Sequence, residues 1–433
     1  MTSAVSAPAP QRWLMWSLPA TLFLIGFFHR VAPGVLAKDL MQAFEATGTI
    51  VGLLSATYFY AYAGLMIPAG VLIDAYGPRR VVASGGAVMG LGALAMGAAP
   101  SGAVLFAGRF LVGLGATVTF VGTLKIAATW FPAAQFGTLS AITATVGIAG
   151  ALVATAPLAG LVDVAGWRGA LGIVGAVSVV AAVACFVVVR DRPPGVAATA
   201  APGVGAMLRG AGRVLRNPHT WPPFVTFFCL YSALGNLMLW VVPCLRDVYG
   251  LSTTRAAWYA AASQLALLGA APLTGFVSDR VVRRRKAPYV VLTWGLLVLW
   301  CVLTATLGTL PLGAVFALLF AIGVASAAFV LTWPIGREVN PPELAGIAVA
   351  VVNLGGFVGA ALTQGPLGAL LDARWSGVLV DGARRYPVEA YRASFVACAG
   401  LVLVAALASL LVRETRGRNV HTEPVRTPTV ATT

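Results

Sequence analysis

The sequence predicts an all-α membrane protein: twelve transmembrane helices in two six-helix bundles related by pseudo-twofold symmetry. Three observations predict it. Hydrophobic residues make up 59% of the 433-residue chain and charged residues only 10%, too little polar surface for a water-soluble protein of this length. Apolar runs of about 20 residues recur along the whole chain. Segments of the first half reappear in the second. Backbone groups in lipid must bond within their own segment, and these runs are continuous rather than alternating, so helices are expected and a β-barrel is not.

The first six spans are expected near 13–37, 50–73, 81–99, 103–128, 137–160 and 168–189. The first run is too long for a secretory leader and lacks a clear small-residue cleavage site, so it reads as a retained helix. These spans form an N-terminal bundle over 1–189. A hydrophilic linker follows over 190–220. Its "RPPGVAATAAPGVG" reads as a flexible connection, and its "AMLRGAGRVLRN" as a short basic helix on the membrane surface. The last six spans are expected near 221–245, 255–277, 288–308, 311–333, 345–371 and 393–412, giving a C-terminal bundle over 221–412 and a tail over 413–433. An even number of spans puts both termini on one side.

Orientation follows from Lys and Arg. The segments on the side of the termini hold Arg12, Arg79, Arg80, the linker arginines, the run from Arg280 to Lys286, Arg337, and Arg413, Arg416, Arg418 and Arg426. The opposite side holds fewer: Lys38, Arg168, Arg246, Arg255, Arg374, Arg384, Arg385 and Arg392. Both termini are therefore expected in the cytoplasm of a bacterial inner membrane. This topology accounts for the net charge of +15, and nucleic acid is not an expected partner. The five cysteines (Cys185, Cys229, Cys244, Cys301, Cys398) lie in or beside apolar runs with no CxxC pair, so no metal site, disulfide framework or cofactor is expected.

The repeat has three parts. "PLAGLVD" at 157–163 returns as "PLGALLD" at 366–372, and Gly150-Ala151 returns as Gly359-Ala360 at the same offset of 209. "GVLIDAYGPRR" at 70–80 has a weaker partner in "GFVSDRVVRRR" at 275–285. Duplicated halves of this kind form transporters with a substrate site between them at mid-membrane.

Here the chain resembles the major facilitator superfamily, whose inner-loop signature runs G-x-x-x-D-[RK]-x-G-[RK]-[RK]. Gly70, Asp74, Gly77, Arg79 and Arg80 match or flank it, while Ala75 stands where a basic residue is usual. The second copy keeps Gly275, Asp279, Arg280, Arg283 and Arg284 but lacks the second glycine. Arg109 in "GRFLVGLG" resembles the family's fourth-span pattern. The resemblance implies alternating access, with Asp74 and the cluster of Asp279, Arg280, Arg283 and Arg284 forming a latch on the inner side. A plain positive-inside loop is the other reading of those residues.

Within the spans, Arg30, Arg109 and Lys125 are cations with no carboxylate placed deep in any span. Such charges are costly in a bilayer, so backbone carbonyls, water or an anionic substrate must compensate them. Gly26, Arg30 and Gly34 share a face of span 1 and leave room for a cavity or a close helix. An arginine in span 1 also resembles organic-anion symporters of the superfamily, in which an acidic residue precedes it; here His29 takes that place. Arg109 bonding helix backbones, Arg30 or Lys125 snorkelling, and His29 as a packing residue remain open. Tyr58 with Tyr62, Asn236 with Trp240, and Asn353 with Gln364 each share a helix face and are further candidates to line the site.

The function expected is secondary transport of a small organic anion or zwitterion by a monomer, coupled to protons through His29 or Lys125. Export of a siderophore or drug-like compound, or carriage of dipeptides, which "KIAATWFP" at 125–132 suggests by a looser likeness, are alternatives. A membrane receptor or scaffold is disfavoured, because no sizeable soluble module is present to act as output. No HExxH, embedded carboxylate pair, nucleophile signature or nucleotide-binding loop is seen, so neither an enzyme nor ATP-driven transport is expected.

Overall fold

The computed structural model describes residues 9–132, 135–193 and 204–421. Residues 194–203 of the expected linker and 422–433 of the tail, with Arg426, lie outside the described residues. The first bundle contains α1 (Ala9–Phe44), α2 (Gly48–Tyr76), α3 (Pro78–Gly97), α4 (Gly102–Trp130), α5 (Phe136–Val153) and α6 (Ala156–Val188). The amphipathic α7 (Val204–Arg216) precedes the second bundle. That bundle contains α8 (Trp221–Tyr249), α9 (Thr253–Phe276), α10 (Lys286–Thr306), α11 (Leu312–Ser326), α12 (Thr332–Glu338), α13 (Ala345–Asp372) and α14 (Val388–Leu410). A small antiparallel hairpin, β1 (Leu379–Val380) and β2 (Ala383–Arg384), lies between α13 and α14.

Among the described residues, eleven helical stretches are long and apolar enough to cross a membrane. The twelfth crossing comes from a bend. Gly166 has φ +67, a value open to glycine, and divides α6. Residues 156–165 complete the fifth crossing begun by α5, and 167–188 make the sixth. The tenth crossing joins α11 to α12 through a 3₁₀ turn at Ala327–Leu331.

The repeat is visible in the packing. A Cβ on Gly150 would lie 2.1 Å from the Leu24 carbonyl, and one on Gly359 2.5 Å from the Phe228 carbonyl. Both glycines therefore let the fifth or eleventh crossing press on the first or seventh, as small residues do in membrane bundles. The repeat prolines behave differently. The chain breaks at Thr155, just before Pro157, whereas α13 runs continuously through Pro366. A proline lacks the N–H of a helical bond, and only the first half answers with a break.

The two loops of the repeated signature also differ. Gly77 turns with φ +84, and Pro78 starts α3. In the second half a π-turn at Val277–Val281 takes up one extra residue, and the positive φ falls on Arg283, at +53.

Two faces follow from this topology: one carries the described ends of the chain, and the other, here called distal, carries the hairpin. Among the described residues, the hydrogen bonds and ion pairs that join the two halves lie at mid-depth or on the distal face. Lys38 of α1 pairs with Asp247 of α8 at 2.6 Å. Asp372 accepts from the Gly48 and Thr49 backbone N–H groups. Thr254 donates to Asp163. Between these contacts α2 and α13 run in close approach: a Cβ on Gly52 would lie 2.2 Å from the Gln364 carbonyl, and one on Gly368 2.2 Å from that of Gly48. Toward the terminal face two small hydrophobic clusters belong each to one half, around Ala69, Ile73 and Val118, and around Val214, Ala348 and Val351. The conformation is thus sealed on the distal side.

Candidate functional site

A cavity lies at mid-depth where the halves meet. Phe27, Arg30 and Val31 of α1 and Ser55 and Phe59 of α2 line one side. Tyr231, Gly235 and Met238 of α8, Gln264 of α9 and Gln364 of α13 line the other. Arg30 sits 14 residues before the end of α1, roughly 20 Å from it at the usual rise, so it is near the membrane centre. It is 8% exposed, which removes the snorkelling alternative.

The guanidinium is held by rings from both halves. Nη1 donates to the Tyr231 hydroxyl at 2.8 Å, and Nη2 to that of Tyr58 at 3.4 Å. Its carbon lies 3.9 Å from the centre of the Phe27 ring, 4.9 Å from Phe357 and 5.2 Å from Tyr62. Cation–π contacts of this kind each contribute up to about 2 kcal/mol when dry. The Arg30 Nε is buried without a hydrogen-bond partner. Tyr58 is fixed in turn, its hydroxyl donating to the Gly26 carbonyl at 3.1 Å.

Arg109 stands behind Tyr58, its guanidinium carbon 5.0 Å from that ring. Nη1 donates to the His29 backbone carbonyl at 2.5 Å, which is the helix-bonding role. Nε and Nη2 are buried without partners. Neither arginine forms an ion pair among the described residues, so two buried cations flank one tyrosine and leave the cavity electropositive. His29 is 1% exposed and is not among the residues lining the cavity, with Nε2 unpartnered.

Other candidates fall elsewhere. Lys125 is not an unpaired cation: its Nζ lies 2.7 Å from Asp74 Oδ1, in a half-exposed pair between the ends of α4 and α2. That pairing corrects its placement at the substrate site, because α2 and α4 pack side by side and bring the two charges together away from the cavity. The same pair means that Asp74 does not meet the Arg280, Arg283 and Arg284 cluster in this conformation. Asp279 pairs instead with Arg285, which also reaches the buried Glu338 at 3.1 Å. The Arg284 carbonyl accepts from Ser278. Arg79 donates its backbone N–H to Asp191 and its Nε to the Phe186 carbonyl, both at 2.7 Å, while Gly70 and Arg80 lie at the surface end of α2 and the start of α3.

Asn236 donates to the Ser232 carbonyl and to Thr363 Oγ1, behind the cavity wall. Trp240 is fully buried on that same side, and Asn353 accepts from Trp333 at 3.0 Å. Gln364 does line the cavity, its Oε1 unpartnered. Gly26 and Gly34 serve close packing rather than open space: Cβ atoms there would lie 3.3 Å from the Ala116 Cβ and 2.0 Å from the Met238 carbonyl.

Sequence reasoning missed Tyr231, Gln264 and the phenylalanines of the cage. Gln264 is an amide in an apolar span, as Gln364 is, and that was a signal that could have found it. The expected spans 13–37 and 221–245 also stopped short of Lys38 and Asp247. The structure corrects this, because α1 reaches Phe44 and α8 reaches Tyr249. Lys38 and Asp247 are therefore buried helical residues, 6% and 9% exposed.

The sequence profile of the Major Facilitator Superfamily matches residues 20–364. The chain is 22% identical over 427 residues to the uncharacterised transporter YybO of Bacillus subtilis, covering 92% of this chain and 94% of that protein. It is 24% identical over 284 residues to a probable sulfoacetate transporter, SauU, of Cupriavidus necator, covering 63% and 66%. It is also 24% identical to a putative tartrate transporter of Agrobacterium vitis, covering 92% of each. Among solved structures, a bacterial homologue of the human lysosomal transporter Spinster, in an inward-facing conformation, superposes with TM-score 0.77 at 19% identity over 95% of this chain and 98% of that one. A D-xylose–proton symporter superposes with TM-score 0.74 at 14% identity over 94% and 99%. With a profile match over most of its length and this twelve-crossing fold, the chain belongs to the Major Facilitator Superfamily.

Proposed function

We propose that the protein is a secondary transporter of a small organic anion, working by alternating access. The observation that carries this reading is Arg30: a buried guanidinium in a cavity between the halves, with no carboxylate paired to it among the described residues and its Nε–H without a partner. An anionic group on the substrate supplies what is missing, and a guanidinium fork fixes its orientation. Arg109 adds charge from behind Tyr58, and Gln364, Gln264 and Ser55 offer neutral polar contacts at the cavity wall. The names of the relatives support the class, since sulfoacetate and tartrate are both anions. The positive-inside rule puts the terminal face in the cytoplasm, so the distal-sealed form corresponds to an inward-facing state. Proton coupling is part of the proposal, but not through His29, which is buried outside the cavity lining.

Uptake of radiolabelled sulfoacetate, tartrate and a neutral sugar into proteoliposomes tests this. The anions are expected to compete for uptake and the sugar is not. Arg30→Lys keeps the charge and loses the fork, so it should weaken anion binding by about tenfold or more, equivalent to at least about 1.4 kcal/mol. Arg30→Ala should abolish transport while the protein remains folded. Wild-type uptake by Arg30→Ala would remove the anion reading.

A further inference from the structure

We propose that Asp163 and Asp372 are twofold-related clasps that hold the distal mouth shut, each binding the first turn of the second crossing of the opposite half. The two residues close the repeated segments "PLAGLVD" and "PLGALLD". Their partners are related in the same way. Thr49 is the second residue of α2 and Thr254 the second of α9, and their offset of 205 is that of the signature loops at the other ends of those helices.

The Asp372 clasp is the fuller one. Oδ1 accepts from the Gly48 N–H at 2.9 Å, and Oδ2 from the Thr49 N–H at 2.7 Å and the Thr49 hydroxyl at 2.6 Å. Thr47 caps the next N–H, that of Ile50. The carboxylate from the second half thus completes the capping of a first-half helix, where unpaired N–H groups and the helix dipole favour a negative charge. Tyr386 and Arg384 donate to the same carboxylate from its own half and hold it in place. Asp163 makes a lighter version: it accepts from Thr254 Oγ1, while α9 has its own cap in Ser252.

The terminal face obeys the opposite rule. There Asp191 takes the Arg79 N–H at the start of α3. Glu414 takes the Arg285 and Lys286 N–H groups at the start of α10. Each of these caps stays within its own half, so separating the halves leaves it intact. Among the described residues, the distal carboxylate contacts cross between halves while these caps do not, and the distal contacts must break whenever that mouth opens. Asp372, with more donors, should carry more of the closure than Asp163.

The inference rests on alternating access but not on the identity of the substrate, so it is tested without transport. Spin labels at Ser101→Cys and Thr309→Cys, exposed on the distal loops of opposite halves, report the width of the mouth in the full-length protein in lipid nanodiscs, with Cys301→Ser removing the exposed native thiol. Asp372→Asn is expected to raise the wide-mouth population several-fold, Asp163→Asn less, and the double variant most. An unchanged distance distribution in the folded double variant would overturn the proposal, and an Asp163→Asn effect at least as large as that of Asp372→Asn would overturn the ranking. Should Asp372→Asn fail to fold, Thr49→Val removes one donor and keeps the backbone pair. A smaller shift in the same direction is then expected, and none would overturn the clasp.

Discussion

At the scale of the residue, the site depends on a contrast between rare and common side chains. Arg30, Arg109, Tyr58, Tyr62 and Gln364 were legible because a polar or charged group in an apolar run needs a reason to be there. The structure gathers Arg30 with the two tyrosines and puts Gln364 across the cavity from it. Phe27 and Phe357 were not legible, since a phenylalanine in a span is ordinary and only the fold reveals that two of them face one guanidinium. His29 has the sharpest consequence at this scale. Its Nε2 is buried and unpartnered, and its carbonyl holds Arg109. His29→Gln keeps the backbone bond and removes the titratable ring. Anion binding should change little, and the response of uptake to external pH between about 5 and 8 should persist, because the ring is buried outside the cavity lining. Uptake rates across that range check it, and loss of the pH response would place His29 in the coupling.

At the scale of the element, helix positions were legible and helix ends were not. Apolar run length finds a span but not its last turns, which is why Lys38 and Asp247 read as loop residues. Their burial depends on α1 and α8 meeting, something no single run encodes. The π-turn that shifts the positive φ onto Arg283 is equally silent in sequence, although the missing second glycine hinted that the two signature loops differ. The α2–α13 contact yields a prediction. A side chain on Gly52 would collide with the Gln364 backbone, and overpacking costs about 1–3 kcal/mol. That cost applies only while the distal side is closed. Gly52→Val should therefore move the conformational equilibrium toward distal-open by about fivefold or more rather than unfold the protein. Labelling of Ser55→Cys by a membrane-impermeant thiol reagent added from the distal side should speed up accordingly. Unchanged labelling together with a lowered Tm would show that the clash persists in both states.

At the scale of the whole molecule, the duplication was legible from three short matches, and it foretold two six-helix halves with a site between them. What it left open was which state the pairing favours. Here the contacts between halves gather on one side, and Asp74 pairs with Lys125 within the first bundle. An exposed pair of this kind is worth about 0–1 kcal/mol, so exchanging its partner costs little. Lys125→Gln should free Asp74 for the Arg280, Arg283 and Arg284 cluster and raise the terminal-closed population, whereas Asp74→Asn should lower it. Thiol accessibility of the cavity from the terminal face measures both, and equal accessibility in the two variants would exclude the latch. The seating of α7 has a further use. Val214 packs on Ala348 and Val351 of the second bundle, Gly210 approaches Ile347, and Arg213 pairs with Glu343. This helix is cargo of one bundle, so a dye carried at its exposed Leu208 would act as a pointer fixed to that bundle, sweeping past the first bundle with each stroke of the transport cycle.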